Sequence, residues 1–252
     1  MKKDNLKVIC IIPARLASSR FPNKPLAKII DQPMILHVYN KVKDAPEIDK
    51  CIVATCDNEI KICIENSGGE AVMTSNLHER ASDRCAEALL KIEEKYNTKY
   101  DIVLMVQGDE PLINHNMIQE SISPFYSDSK IDVVNLYSQI QDYNEFNDRN
   151  CVKVVVGEDS NALFFSREPI PSLFREKHQH IFKQVCVIPF RRNFLIKYNS
   201  MQSTKLEEIE SIDMLRIIEN GMKVFMVKTT HQSKCVDTID DLKVVNRLLQ
   251  KK

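Results

Sequence analysis

Basic side chains cluster in one short segment near the start of the chain, which reads PARLASSRFPNKP. Arg15, Arg20 and Lys24 lie within ten residues of one another there, and Ser18 and Ser19 add two hydroxyl groups. Arginine can bind phosphate oxygens through two parallel hydrogen bonds, whereas lysine acts as a mobile point charge. These residue types predict a triphosphate-binding loop, with a solvated surface loop of unrelated charges as the alternative.

The same segment lacks the glycine-rich patterns of two common nucleotide-binding loops. It contains neither a P-loop nor a GxGxxG fingerprint, which disfavours P-loop kinases and Rossmann dehydrogenases. Because no glycine is present, we expect the turn to use Asn23, a residue type that tolerates a positive φ better than most.

Two aspartates in distant segments are candidate metal ligands. Asp109 follows an apolar run in the sequence VQGDEP, and Asp237 follows Cys235 and Val236. Mg²⁺ in nucleotide sites is held by a few carboxylate oxygens together with water and substrate phosphates. Asp109 and Asp237 therefore predict a Mg²⁺ site, provided that the fold brings them together. For Asp237, a helix-capping turn is the alternative.

Alternating strands and helices must position these residues in the first half of the chain. Hydrophobic patterning predicts strands at 8–12, 51–55, 71–74 and 102–106, and helices at 33–43, 58–66 and 82–96. Such repeated units favour an α/β fold with a mainly parallel sheet and helices on both faces. The basic loop and Asp109 each follow a strand, and ligands bind at this carboxyl edge of parallel sheets.

The second half is less regular and predicts an antiparallel addition to the same domain, 1–252. Predicted strands at 133–137, 152–156, 162–165 and 185–190 lack long intervening helices. A helix is expected over 206–219, closed by Gly221 in a left-handed conformation, and a strand over 223–227 follows. Thr238 and Asp241 predict a capping box for the last helix.

Composition excludes several classes of protein. The 252 residues are 43% hydrophobic, and 35 basic side chains balance 35 acidic ones, so nucleic-acid or membrane-surface binding has no support. No uncharged apolar run approaches the ~18 residues of a membrane span, and no signal peptide is recognisable. The eight cysteines have no metal-ligand spacing and predict a reducing, cytoplasmic location. His178 and His180 are typical of a solvated loop.

Five motifs extend over nearly the whole chain: PARLASSRFPNKPL, VQGDEPLI, FSREPIP, LEEIESIDMLRIIENG and VDTIDDL. In this order they resemble the 3-deoxy-manno-octulosonate cytidylyltransferases, also called CMP-KDO synthetases. The resemblance implies attack of a sugar's anomeric hydroxyl on the α-phosphorus of CTP, with release of pyrophosphate. It also implies a Mg²⁺ cofactor, an acidic 2-keto sugar as acceptor, and a homodimer whose substrate and dimerisation region spans about 130–205. The product would serve lipopolysaccharide or capsule synthesis.

The resemblance assigns roles to ten residues. Those implied to bind the triphosphate are Arg15, Ser18, Arg20 and Lys24. Those implied to hold Mg²⁺ are Asp109 and Asp237, which form the catalytic set with Arg15 and Lys24. Those implied to contact the sugar are Gln107, Arg167, Glu207 and Glu210. Taken without the resemblance, the two glutamates are more typical of a salt bridge or a solvated helix face.

The chain departs from the family pattern in residues expected to line the sugar pocket. Arg80-Ala81-Ser82 stands where the family usually has Ser-Gly-Thr, and Cys235 stands where a glycine is usual. Gln184 and Ile188 replace a histidine and a tyrosine. The nucleotide motifs are nearly complete, so we hypothesise that the acceptor is a modified or different 2-keto-3-deoxy sugar acid.

Two other functions are compatible with parts of this pattern. One is another sugar nucleotidyltransferase, such as a sialate-type cytidylyltransferase or a sugar-1-phosphate enzyme, although the latter usually has a glycine-richer first loop. The other is a non-catalytic nucleotide-binding protein. The presence of both Asp109 and Asp237 disfavours this second possibility, because nucleotide binding alone would tolerate the loss of one carboxylate.

Overall fold

Two five-stranded sheets and a short hairpin form the scaffold of the protein. The computed structural model describes residues 6–18, 20–175, 181–231 and 233–250, so Ser19, His178 and His180 lie outside the described residues. The strands are β1 (Val8–Ala14), β2 (Lys28–Ile29), β3 (Gln32–Pro33), β4 (Lys50–Thr55), β5 (Ala71–Met73), β6 (Ile102–Val106), β7 (Val134–Gln139), β8 (Lys153–Val156), β9 (Ala162–Ser166), β10 (Phe182–Val185), β11 (Val187–Arg191) and β12 (Phe225–Lys228).

Helices connect most of these strands and cover the first sheet. They are α1 (Met34–Lys43), α2 (Asn58–Asn66), α3 (Ala81–Tyr96), α4 (His115–Ile122), α5 (Pro124–Ser127), α6 (Tyr143–Asn147), α7 (Arg192–Asn199), α8 (Lys205–Glu210), α9 (Met214–Glu219) and α10 (Ile239–Gln250), with a 3₁₀ turn at Lys24–Leu26. Within the described ranges, none of these helices has both the length and the apolar character that crossing a bilayer would require.

The first sheet has the strand order β11-β6-β1-β4-β5. Its strands run parallel except for β11, which is antiparallel to β6. The central strand β1 is buried along its whole length. Successive side chains of a strand point to opposite faces, so Ile9 and Ile11 pack in the core on the α3 and α7 side. Cys10 and Ile12 pack in the core on the α1 and α4 side. The predicted parallel sheet with helices on both faces is confirmed.

The second sheet has the order β12-β7-β10-β8-β9 and is antiparallel except for the β12–β7 pair. It contains the antiparallel strands predicted from the second half of the chain. The predicted strand over 185–190 is in fact two strands. The chain leaves the second sheet after Val185, bends at Cys186 and enters the first sheet at Val187. This crossing at Cys186 connects the two sheets beside the carboxyl end of β6.

The continuous helix predicted over 206–219 is wrong, because α8 and α9 are separated by a break. Ser211 adopts a left-handed conformation with φ 54° and ends the helical geometry. The Glu210 carboxylate accepts hydrogen bonds from Ser166 Oγ and from the Arg167 backbone N, both at 2.8 Å. These contacts to another segment compensate for the interrupted helix. The left-handed Gly221 after α9 is confirmed, with φ 71°.

A buried ion pair joins α8 to α9 across this break. The Arg216 guanidinium, on a residue that is only 5% exposed, donates to the two carboxylate oxygens of Glu207 at 2.6 and 2.7 Å. Glu207 is fully buried, and it also forms a capping box with Thr204 at the start of α8. A buried ion pair of this kind adds little net stability. Removing one partner, however, leaves the other charge buried and unpaired, which is strongly destabilising.

Replacing Glu207 with Gln leaves the Arg216 guanidinium buried without its counter-charge. We expect the free energy of unfolding to fall by about 3–5 kcal/mol, measured by urea denaturation. The neighbouring exposed residue provides the control: Glu208→Gln should change this free energy by less than about 0.5 kcal/mol. A Glu207→Gln protein with normal stability but weakened binding of a sugar acid would contradict the structural role and support the sugar contact implied by the resemblance.

Candidate active site

A cavity of about 420 Å³ opens beside the carboxyl ends of β1 and β6 and extends to the second sheet. It is where the mainly parallel sheet was expected to bind a ligand. Eight of the ten residues singled out from the sequence line it: Arg15, Ser18, Arg20, Lys24, Gln107, Asp109, Arg167 and Asp237. These eight residues come from four separate stretches of the chain and meet around one space.

The basic loop folds back on itself at the end of β1. Asn23 takes the left-handed conformation expected of it, with φ 59°, and its backbone N donates to Leu16 O at 3.2 Å. The Leu16 backbone N donates in turn to the Asp57 carboxylate at 2.8 Å, which anchors the loop to the end of β4. Arg15 is exposed at the cavity, whereas the Lys24 side chain is only 12% exposed. The loop therefore presents two solvated cations, Arg15 and Arg20, and one largely enclosed cation, Lys24, to a ligand.

The Lys24 ammonium lies between the two aspartates that are distant in the sequence. It donates to Asp109 Oδ2 at 2.6 Å and lies 3.4 Å from Asp237 Oδ1. Arg20 Nη2 donates to the same Asp237 oxygen at 2.9 Å. A backbone hydrogen bond from Val236 N to Asp109 O, 3.0 Å long, joins the two aspartate segments directly. The juxtaposition of the basic loop with Asp109 and Asp237 is the arrangement predicted from the sequence.

The donor atoms around Lys24 fit a divalent cation. Single donor atoms of Asp109, Cys235 and Asp237 lie within 4.8 Å of one another, and Asp109 Oδ1 is buried without a hydrogen-bond partner in the described part of the chain. Burial lowers the pKa of Lys24, but the negative groups around it, Asp109 first, raise that pKa above its ordinary value. The two carboxylates suit Mg²⁺, whereas the Cys235 thiol is a softer donor that Mg²⁺ does not favour.

Glu110 is a second acid at the end of β6, and the sequence analysis did not single it out. It is 3% exposed, lines the cavity and accepts a long hydrogen bond of 3.4 Å from the Cys186 backbone N. Its burial, and then the nearby charge of Asp109, raise the pKa of Glu110 to about 7. The only signal in the sequence was its position next to Asp109 in the QGDEP motif.

The wall facing the second sheet contains the residues that depart from the family pattern. Gln184 lines the cavity, and its Nε2 donates to Asn135 Oδ1 at 2.6 Å. Asn135 is buried and donates through Nδ2 to Val185 O at 2.9 Å, which fixes the orientation of both amides. Ile188, on β11 of the first sheet, also lines the cavity with an apolar side chain and is 2% exposed. This wall is therefore one oriented amide beside an apolar surface.

Arg167 also lines the cavity, and backbone contacts hold its side chain in place. Its Nε donates to Glu210 O at 2.7 Å, and its Nη2 donates to Ser211 O at 3.3 Å. The fully buried Lys153 ammonium donates to the Arg167 carbonyl and to Asp148 O, the latter at 2.8 Å. Burial lowers the pKa of Lys153 below its usual range. The guanidinium is thus positioned by the break between α8 and α9.

Glu207 and Glu210 are not brought to the cavity with the other predicted residues. Within the described ranges, neither one lines it. The Glu207 carboxylate binds Arg216 in the interior, and the Glu210 carboxylate binds Ser166 and the Arg167 backbone. These contacts give Glu207 a role in stability and Glu210 a role in positioning Arg167. A direct contact of either carboxylate with the sugar stays a prediction.

Comparisons of sequence identify relatives along nearly the entire chain. The family model described as cytidylyltransferase matches residues 9–224. The chain is 40% identical to the 3-deoxy-manno-octulosonate cytidylyltransferase of Geobacter metallireducens, over 96% of this chain and 98% of that protein. It is 38% identical to the protein of the same name in Fusobacterium nucleatum, over 95% of this chain and 96% of that protein.

Comparisons of structure agree with the sequence matches. A CMP:2-keto-3-deoxy-manno-octonic acid synthetase complexed with CTP superposes with a TM-score of 0.86 and 32% identity, covering 97% of this chain and 99% of that one. A 4-diphosphocytidyl-2C-methyl-D-erythritol synthase from Anaerococcus prevotii, with a TM-score of 0.64 and 15% identity, shares the fold; 98% of this chain and 100% of that one are covered. Geometry, sequence and fold together show that the chain belongs to the 3-deoxy-manno-octulosonate cytidylyltransferase family.

Proposed function

We propose that this protein transfers CMP from CTP to 3-deoxy-manno-octulosonate or a related 2-keto-3-deoxy sugar acid and releases pyrophosphate. The observation that carries the proposal is the meeting of the basic loop with Asp109 and Asp237 in one cavity. That cavity also contains Arg167, a cation suited to a sugar carboxylate. Membership of the cytidylyltransferase family supports CTP as the nucleotide.

The basic loop is proposed to bind the triphosphate through Arg15, Ser18, Arg20 and Lys24. Negative charge accumulates on phosphate oxygens during phosphoryl-group attack, and fixed cations in an enclosed site stabilise that charge. Lys24 is the most enclosed cation of the loop, and its ammonium is held in place by Asp109. Arg15 is exposed at the cavity, where it can bind the incoming nucleotide.

Asp109 and Asp237 would hold Mg²⁺, which would neutralise phosphate charge and ease deprotonation of the sugar hydroxyl. The chemical step is a displacement at the α-phosphorus of CTP. The sugar's anomeric oxygen forms the new P–O bond and loses its proton, and the bond to pyrophosphate breaks. The residues of the cavity contribute mainly by holding the two reactants in line, because positioning and charge stabilisation supply most of the catalysis in such reactions.

The acceptor is proposed to lie between Arg167 and the wall formed by Gln184 and Ile188. Gln184 is oriented by Asn135, so it offers a fixed amide rather than a titratable ring. Ile188 contributes no hydrogen bond, and a sugar group facing it would be less polar than one facing a tyrosine. These two residues support our hypothesis that the preferred acceptor differs from plain octulosonate.

We also propose that the enzyme acts in the cytoplasm as a homodimer, in the synthesis of lipopolysaccharide or capsule. All eight cysteines lie in the described ranges and are free, which suits a reducing compartment. The dimer follows from the family resemblance, and sedimentation of the purified protein tests it.

Substrate profiling tests the proposed function. With Mg²⁺ present, we expect pyrophosphate release from CTP and octulosonate, and rates lower by about 10² or more with UTP, GTP or dTTP. Octulosonate, its amino derivatives and other ulosonic acids, compared side by side with CTP, identify the acceptor. No turnover of CTP with any ulosonic acid would refute the proposed reaction. A clear preference for plain octulosonate would refute only the hypothesis of an altered acceptor.

Neutralising either aspartate tests the proposed metal site. Asp109→Asn and Asp237→Asn should fold normally and lose turnover by about 10² or more, because charge stabilisation at the phosphates is removed. Asp240→Asn is the matched control, since this nearby side chain is 89% exposed and forms a surface ion pair with Lys243. Pyrophosphate release gives the rates and circular dichroism checks the fold. Near-normal turnover by a well-folded Asp109→Asn protein would rule out the proposed role of Asp109.

A further inference from the structure

Two arginines flank the first turn of α3, which also carries one acidic residue, Asp83. Arg80 is the N-cap of this 16-residue helix, and Arg84 follows four positions later. The amino end of a helix carries a partial positive charge, so cations there are unfavourable and anions are attracted. Residues four apart lie on the same side of a helix. Two guanidinium groups therefore add to the positive potential on one side of this helix end.

Arg84 has an unsatisfied, buried guanidinium. The residue is 3% exposed and lines the cavity, and its Nη1 donates to Thr74 Oγ1 at 2.6 Å. Its Nη2 is buried and has no hydrogen-bond partner among the described residues. A buried charged donor without an acceptor is costly in free energy, and native structures usually retain one where a ligand supplies the acceptor. Arg84 thus indicates an anion at this end of the cavity.

Arg80 approaches the same end of the cavity as Arg167. Its Nη1 donates to Ser211 Oγ at 2.8 Å, while Arg167 Nη2 donates to Ser211 O at 3.3 Å. Both arginines line the cavity. The break between α8 and α9, which exposes both the hydroxyl and the carbonyl of Ser211, therefore gathers two guanidinium groups from different parts of the fold.

Nearby carboxylates neutralise this group of arginines only in part. Arg80 Nε lies 3.5 Å from the Glu207 carboxylate and 3.9 Å from that of Asp213. Glu207 is already bound bidentately by Arg216, and Asp213 accepts a hydrogen bond from Ser82 Oγ at 2.7 Å. No ion pair of Arg84 is found in the part of the chain that the structure describes. Asp83 adds a further carboxylate in the first turn of α3, so what remains available to a ligand is the unpartnered Nη2 of Arg84.

We propose that Arg80 and Arg84, together with Arg167, form a seat for the carboxylate of the acidic acceptor. The inference rests on the proposed function and adds a residue that the family pattern lacks, because Arg80 stands where a serine is usual. A carboxylate offers two planar oxygens, which match the parallel N–H groups of guanidinium. We propose that the triphosphate binds to a different set of cations, those on the loop after β1.

The variant Arg80→Ser tests the seat by separating the two substrates. We expect the Kd and KM for the sugar acid to rise by about 10- to 100-fold, and the KM for CTP to change by less than about two-fold. Calorimetry gives the Kd and pyrophosphate release gives the KM. Arg149→Ser is the matched control, because the Arg149 side chain is 77% exposed and pairs with Glu168 at the surface, while its backbone carbonyl, which accepts a hydrogen bond from Arg167 Nη1, is kept in the variant. It should bind both substrates normally.

A second variant separates charge from the support that Arg80 gives to Ser211. Arg80→Gln keeps a side-chain N–H donor, on a shorter side chain, but carries no charge. We expect it to lose affinity for the sugar acid as Arg80→Ser does, with a normal melting temperature. Normal binding of the sugar acid by Arg80→Gln would overturn the proposal and leave Arg80 as a support of the helix break. Weakened CTP binding with normal sugar-acid binding would also overturn it, because the seat would then belong to the nucleotide.

Failure of the proposed carboxylate seat can be distinguished from failure of the proposed function. Calorimetric binding of the sugar acid requires no turnover, so the seat is tested even if the wild-type protein releases no pyrophosphate. If the wild-type protein binds no ulosonic acid at all, both proposals fail. If it binds one and Arg80→Ser does not, the seat is supported whatever the assay of turnover shows.

Discussion

Mutual repulsion between two carboxylates is the constraint on which this site depends. Where Asp109 and Asp237 share one corner of the cavity, a cation lies between them and offsets the repulsion of their like charges. Lys24 supplies that cation, and the backbone bond between Val236 and Asp109 keeps the two segments together. The arrangement is balanced internally, yet its charges suit an incoming nucleotide and a divalent cation.

The end of the cavity where we propose that the acceptor binds depends on an interrupted helix, the break between α8 and α9. A continuous helix over 206–219 would have satisfied the Ser211 and Glu210 carbonyls internally. The break frees these groups to bind Arg167, while the buried pair of Glu207 and Arg216 holds α8 and α9 together. The Glu207–Arg216 pair therefore stabilises this segment, whereas Glu210 and Ser211 position Arg167, which we propose binds the sugar acid. This division explains why Glu207 looks functional in a motif but lies in the interior.

Local pattern was sufficient to predict the first half of the fold and the meeting of the basic loop with Asp109. Continuous apolar runs identified β1, β4 and β6, and the rule that ligands bind at the carboxyl ends of parallel strands brought the basic loop and Asp109 together. The motif order then added Asp237, which no local pattern distinguishes from a helix cap. The left-handed Asn23 followed from the absence of glycine in the loop.

What the sequence could not reveal depends on contacts between distant residues. The break at Ser211 is compensated by Ser166 and Arg167, so helical periodicity alone gave a continuous helix. The change of sheet at Cys186 lies inside one apolar run. The unsatisfied Arg84 is recognisable only from its surroundings.

The most direct test of the proposed site is a crystal structure with CTP and Mn²⁺, using anomalous scattering to locate the metal. We expect a Mn²⁺ peak at about 2.2 Å from oxygens of both Asp109 and Asp237, and we expect the triphosphate to contact Arg15 and Lys24. A Mn²⁺ peak or a triphosphate bound away from these residues would contradict the proposed site.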